Sequence, residues 1–284
     1  GCFMIVKNLT SKGFRNFDEI EFFPSKNMNV IYGNNAQGKT NLLEAIWLFC
    51  GAKSFRGAKD RELLGFNKEK AINTCEFIFG ENKKNAKIII EEKRKAELGG
   101  KLLSSASKLA GNFYAIVFSP MDLNLVNDGP NVRRKFLDTA IGQIYPLYNE
   151  KIRNYMKALN QRNTILRDVK FHSDIEFLLD DFEKSLSVLI KEIVKYRYRY
   201  VEILSETAPE IYGGISGEKE KLTIEYSSPV LRNMGSEEIL KLLKKSRKED
   251  ILTGNTSVGP HRDDLELILN NSKPSINNAA TIKT

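Results

Sequence analysis

The chain has 284 residues, enough for one large domain or two ordinary ones. Its 41% hydrophobic and 28% charged residues exclude collagen-like, mucin-like and wholly disordered classes, and no run approaches the roughly 18 apolar residues of a membrane span. The formal net charge of +8 admits an acidic partner such as nucleic acid, but it is spread along the chain with no basic tail.

In chain order, residues 4–9, 18–23 and 28–32 predict three short strands, since they are β-branched or aromatic and separated by Gly13, Asn16, Pro24 and Ser25. A helix is expected from Lys39 to Phe49, where Leu42, Leu43, Ile46 and Trp47 keep helical spacing and Gly51 follows. Further strands are expected at 72–79, 86–92 and 113–118, with a hairpin or mobile loop over 95–108 around Gly99-Gly100. After Gly129-Pro130 the pattern turns helical to about Ala208. One stripe runs through Tyr148, Ile152, Tyr155, Met156 and Leu159, and another through Leu178, Phe182, Leu186, Leu189, Ile193, Tyr196 and Tyr200. Ser173 or Asp174 is expected to cap the second stripe, and Pro209 with Gly213-Gly214 to close it. Strand character returns at 222–227, followed by a helix at 236–247.

Cys2, Cys50 and Cys75 form no CxxC pair, which favours a reducing cytosol and argues against structural zinc. The start has no charged segment leading into an apolar one, so no secretory signal is expected and the expected location is cytoplasmic.

Gly33-Asn34-Asn35-Ala36-Gln37-Gly38-Lys39-Thr40 satisfies G-x-x-x-x-G-K-[ST] between an apolar strand and a helix, the context that such a phosphate loop requires. Glycines let backbone N–H groups turn toward a β-phosphate, and the helix N-terminus adds about half a positive charge there. Lys39 is expected to reach the β- and γ-phosphates of ATP, and the Thr40 hydroxyl to bind Mg²⁺. Hydrolysis needs in addition a carboxylate at the end of an apolar strand. Val126-Asn127-Asp128 follows too short an apolar run, and Leu178-Leu179-Asp180-Asp181 sits in a helical pattern, so no catalytic residue is assigned.

Several blocks then carry a resemblance: Gly13-Phe14-Arg15-Asn16-Phe17, the loop continued through Asn41-Leu42-Leu43-Glu44-Ala45-Ile46, Lys53-Ser54-Phe55-Arg56, Phe118-Ser119-Pro120, Arg133-Arg134-Lys135-Phe136-Leu137-Asp138, and Gly259-Pro260-His261-Arg262-Asp263-Asp264. From Met4 to about Leu269 the sequence resembles the RecF family, bacterial recombination and repair proteins related to the SMC and Rad50 ATPases. The resemblance implies an α/β fold, an ABC-type P-loop ATPase head interrupted by an all-helical arm lobe. The expected division is 4–128 for the N-terminal part of the head, 129–214 for the arm and 215–284 for an incomplete return to the head. It also implies ATP and Mg²⁺ binding, and an ATP-dependent homodimer on single-stranded, gapped or junction DNA. RecR- and RecO-type mediators are the implied protein partners. Arg15 is carried over as a residue approaching the nucleotide, with an exposed hairpin arginine as the alternative.

The family pattern continues beyond Leu269 into a signature helix and a Walker-B strand. Here Asn270-Asn271 through Thr284 offer neither, and Met121 stands where an acidic residue is expected. The chain is therefore read as C-terminally truncated, and the weak DNA-stimulated ATPase activity of the family is in doubt for it. Two other readings stay open. One is a P-loop small-molecule kinase or other soluble NTPase, and the other is a non-functional remnant with exposed apolar surface.

Three remaining features have local readings. His261-Arg262-Asp263-Asp264 is expected to be a hydrogen-bonded turn rather than a metal cluster. In Lys195-Tyr196-Arg197-Tyr198-Arg199-Tyr200, the tyrosines continue a core stripe while Arg197 and Arg199 reach solvent. Lys241, Lys244, Lys245, Arg247 and Lys248 form a basic helix face that is either solvated or in contact with DNA.

Overall fold

The computed structural model describes residues 4–169, 171–217 and 220–269. It divides into two compact units, one of Gly1–Phe118 with Gly142–Pro146 and one of Ser119–Ile141 with Leu147 onward.

In the first unit, six antiparallel strands form one sheet in the order β2-β1-β3-β4-β5-β6. They are β1 (Met4–Phe14), β2 (Phe17–Phe22), β3 (Ala71–Phe79), β4 (Asn82–Ile90), β5 (Lys95–Leu98) and β6 (Lys101–Leu102). Alternating residues of β3 (Ala71, Asn73, Cys75, Phe77) and β4 (Ala86, Ile88, Ile90) are buried, as a sheet with one covered face requires. The cover includes helix α1 (Lys39–Trp47), whose Leu42, Ala45 and Trp47 join Leu9, Phe14, Phe77 and Ile88 in one apolar cluster. Each large apolar side chain buried there contributes about 1.5–3 kcal/mol. The hairpin expected near residue 100 is present. Gly99 and Gly100 take φ of 58° and 77°, and positive values at both central positions are what a tight two-residue turn demands.

Two expected strands of this unit join no ladder among the described residues. Residues 28–32 and 113–118 carry no strand assignment, although Ile31, Ala115 and Val117 pack on the apolar cluster. Their alternate residues Met28, Val30, Tyr32, Ile116 and Phe118 are exposed.

The second unit is mostly helical, with α2 (Asn124–Asn127), most of α3 (Pro130–Ile144) as far as Ile141, α4 (Pro146–Asp168) from Leu147, α5 (Leu178–Ser216) and α6 (Ser236–Thr253), plus the antiparallel pair β7 (Leu222–Ser227) and β8 (Asp264–Leu269). Helix α5 buries Leu179, Leu186, Ile190, Ile193, Val194 and Val201 along one face, and both α6 and β7 pack against it. Ser173 and Asp174 open a short 3₁₀ turn, not α5 itself, whose N-cap is Phe177. Nor does Pro209 end the helix. α5 runs on to Ser216 and stops at Gly217 in a left-handed conformation (φ 63°), because a proline removes one backbone donor without forbidding the turns beyond it. The unit boundary also differs from the composition change at Gly129-Pro130. Among the described residues, strands β7 and β8 pair only with each other, and they bury Ile224, Leu265 and Ile268 within the second unit. The segment Asn271–Thr284, on which the expected absence of signature and Walker-B elements rests, lies outside the described residues, as do Cys2 and Asn270. The side chain of Met121 is likewise undescribed. Among the described residues no helix is long and apolar enough to cross a membrane.

Candidate functional site

The loop Gly33–Gly38 runs from the extended segment 28–32 into α1, and three of its residues need positive φ: Gly33 (143°), Ala36 (64°) and Gly38 (95°). At Gly38, the N-cap of α1, the constraint is also spatial. A Cβ there would lie 2.5 Å from the Phe17 ring and 2.8 Å from Asn16 Oδ1. The β1–β2 turn is thus pressed directly against the phosphate loop. No side chain caps α1 and no acidic residue occupies its first turn, so its first N–H groups and the helix dipole present positive potential. Asn34, Asn35, Ala36, Gln37 and Thr40 are exposed, and Lys39 is half-buried. Lys39 Nζ lies inside the loop, donating to the Gly33 and Asn34 carbonyls at 2.8 and 2.6 Å. A loop of this backbone shape, with a cation held at its mouth and a hydroxyl one residue on, fits a Mg²⁺–triphosphate group.

Arg15, on the turn that abuts Gly38, has its guanidinium engaged with protein groups. It forms a bidentate pair with the fully buried carboxylate of Glu44 on α1, Nε to Oε2 at 2.8 Å and Nη2 to Oε1 at 2.9 Å. Nη1 donates to the Glu62 carbonyl at 2.8 Å. The residue has φ of 54°, an uncommon conformation for a non-glycine, and its N–H donates to the Leu63 carbonyl at 2.9 Å. Glu44 also accepts from Ser54 Oγ, and Arg56 Nη1 stands 3.6 Å from its Oε2. Asn41, next to Thr40, accepts from Arg56 Nη1 at 2.8 Å and donates to Asn16 Oδ1 at 2.7 Å. Sequence reasoning missed Glu44 and Asn41 as members of the site. The available signal was a single carboxylate in the run Leu42-Leu43-Glu44-Ala45-Ile46-Trp47, where burial demands a partner.

In the second unit the Gly-Pro-His-Arg-Asp-Asp block is a hydrogen-bonded turn. His261 Nε2 donates to the Thr256 carbonyl (2.9 Å), which leaves Nδ1 to accept from Tyr155 Oη at 2.6 Å. Burial, with Arg262 and Arg134 nearby, pulls the His261 pKa down from 6.5 to about 4, so the ring is neutral at pH 7. Asp263 accepts from Tyr226 Oη, and its carboxyl is pushed above the ordinary range by burial. No group of three His, Cys, Asp or Glu among the described residues is placed to hold a metal ion. Arg197, expected at the surface, is instead buried among Asp138, Tyr148, the Pro260 carbonyl and Asp263. Its neighbour Arg199 is exposed. On α6, Lys244 and Arg247 are paired with Asp180 and Arg247 also with Glu183, while Lys241, Lys245 and Lys248 stay exposed. Cys50 and Cys75 are free and buried, and burial pushes both thiols up to about 12, far from a reactive thiolate.

A family profile described as an AAA domain matches residues 8–276. The DNA replication and repair protein RecF of Clostridium acetobutylicum is 37% identical over 270 residues, which cover 94% of this chain and 74% of that protein. The RecF of Clostridium perfringens strain SM101 is 34% identical over 273 residues, with the same coverage. The chain belongs to the RecF family. A solved structure of the recombination mediator protein RecF-ATPrS in the RecFOR pathway superposes with a TM-score of 0.91 at 31% identity, over 98% of this chain and 76% of that one. A second, of RecF-ATP, gives 0.90. The fold is therefore the mixed α/β fold of RecF.

Proposed function

We propose that this chain binds Mg-ATP through Gly33–Thr40 and acts as a RecF-type DNA-binding protein in recombinational repair and replication restart. The observation that carries the reading is the loop itself. It combines positive φ at Gly33, Ala36 and Gly38, an uncapped helix N-terminus and Lys39 at the loop mouth, in a chain whose relatives are RecF proteins and whose structural neighbours are RecF-ATP complexes. Lys39 would neutralise the terminal phosphates and Thr40 would ligate Mg²⁺, while Arg15 lies beside them on the turn that abuts Gly38. Held by the Thr40 hydroxyl, Mg²⁺ would supply charge neutralisation to the phosphates. On this reading the ATP-bound chain dimerises on single-stranded, gapped or junction DNA and works with RecR- and RecO-type mediators. Nucleotide binding is the activity proposed for these 284 residues, and no hydrolytic step is assigned to them.

Calorimetric titration with Mg-ATP tests the reading, with Lys39→Ala as control. Saturable binding that the variant lowers at least about 100-fold is expected, the loss of a charge-assisted phosphate contact. Equal binding by both chains would overturn it. DNA affinity is expected to fall steeply with salt as phosphate counterions are released.

A further inference from the structure

Residues 53–56 are tied, one after another, to the phosphate-loop helix. The Lys53 carbonyl accepts from Trp47 Nε1 at 2.8 Å, and Ser54 Oγ donates to Glu44. The Phe55 ring meets the Trp47 ring edge-on at 6.2 Å between centroids, and Arg56 donates to Asn41. Two guanidiniums, those of Arg15 and Arg56, therefore flank one fully buried carboxylate, Glu44. Arg15 holds it bidentately, whereas Arg56, 41% exposed, stands just outside hydrogen-bond range at 3.6 Å. Arg15 belongs to the turn that presses on Gly38 and grips the helix which that glycine opens, so a triphosphate bound in the loop would offer its guanidinium a second anionic partner beside Glu44. Were Arg15 to turn to phosphate, Glu44 would be left as an uncompensated buried charge, which is strongly unfavourable. Arg56 is the nearest cation able to replace it, and needs to move less than an ångström to reach hydrogen-bond distance.

We propose that Arg56 is a positioning residue for nucleotide binding, taking over the Glu44 carboxylate when Arg15 turns to phosphate. The exchange rests on the nucleotide-binding reading above. It makes the loop 53–57 respond to occupancy of the phosphate loop, because Arg56 draws its neighbours with it and Phe55 moves against Trp47. Coupling of this kind is reciprocal, so whatever holds Arg56 from outside changes nucleotide affinity by the same factor.

The test is a double-mutant cycle on the full chain, read by calorimetry with Mg-ATP. Arg56→Ala is expected to weaken binding about tenfold or more, and Arg56→Lys to recover part of the loss, because an ammonium supplies charge without the planar fork. In the Glu44→Gln background, where no buried charge needs a partner, Arg56→Ala should change affinity less than about twofold. An equal effect of Arg56→Ala in both backgrounds, or none in either, overturns the exchange.

Should Glu44→Gln fail to fold, the unsubstituted chain supplies a second readout. Trp47 is the sole tryptophan. Its emission should change on saturation with Mg-ATP, and Arg56→Ala at saturation should abolish that change. An unaltered change in Arg56→Ala overturns the proposal. Absence of Mg-ATP binding by the unsubstituted chain, or its survival in Lys39→Ala, would instead remove the nucleotide-binding reading, so the two failures are distinguishable.

Discussion

Arg162 is fully buried on α4 and binds two fully buried carboxylates, Glu183 through Nη2 at 2.7 Å and Asp250 through Nη1 at 2.8 Å. Nη1 also reaches Thr256 Oγ1 at 2.8 Å, so one guanidinium joins α4, α5 and α6 to the turn that leads into β8. Arg162→Met would leave Asp250 buried with only the Ser246 hydroxyl and the Ser257 N–H as donors, while Glu183 keeps Arg247 as a partner. The expected loss is about 3–5 kcal/mol of stability, measured by urea unfolding. Arg162→Lys should recover only part of it, since an ammonium cannot fork. A loss under about 1 kcal/mol would show that the network is no stronger than a surface pair. His261 supplies a pH dependence from the same region. Its folded pKa, about 4, lies below the ordinary 6.5, so the unfolded chain takes up a proton first as pH falls. The neutral ring's contribution is therefore intact above pH 6.5 and lost progressively between pH 6.5 and 4, up to about 3 kcal/mol. Asp263 works in the opposite sense at lower pH, because its folded pKa is raised and protonation then favours the fold. Urea midpoints from pH 7.5 to 4.5 should fall less in His261→Gln than in the unsubstituted chain. Parallel curves would refute the assignment.

At the scale of elements, what could be read in the sequence was what depends on local pattern. Strands β1 to β4 and β7, helix α1 and the long helices follow periodicity and glycine placement, and the phosphate loop is a contiguous motif whose backbone demands are written in Gly33 and Gly38. What escaped depends on partners distant in sequence. Residues 28–32 and 113–118 have strand composition, but a ladder needs a neighbour, and composition reports only that a segment suits a pleated surface. Arg197 looked like a surface cation because its neighbours alternate rings and charges. Its burial is set by Asp138 and Asp263, 59 and 66 residues away in the chain. Glu44 and Arg15 are 29 residues apart, and nothing in either local pattern announces their pairing. The signal available for such pairs is the charge itself, since a carboxylate or guanidinium on an apolar helix face must be compensated to be buried. Pro209 shows the limit of breaker signals, because a 39-residue helix held along one face absorbs the loss of a single backbone bond.

At the scale of the whole chain, the two units separate the available probes. The first contains the phosphate loop and Trp47, in a cluster with Leu9, Phe14, Phe77 and Ile88. The second contains most of the helix, with its own core of Tyr148, Tyr155, Leu186, Ile190, Ile193 and Leu243. Trp47 emission therefore follows the first unit during denaturation, while the helical far-ultraviolet signal is dominated by the second. Each unit buries its own apolar residues, so the two transitions are expected not to coincide, which departs from two-state behaviour. A ligand that binds only the native first unit stabilises that unit by mass action, about 2.7 kcal/mol at a free concentration 100 times its Kd. Mg-ATP should accordingly move the Trp47 transition to higher urea and leave the helical transition in place, and Lys39→Ala should abolish the shift. Coincident transitions that Mg-ATP moves together would mean that the chain unfolds as one cooperative body, with the stability of α4, α5 and α6 linked to occupancy of the loop at Gly33–Thr40.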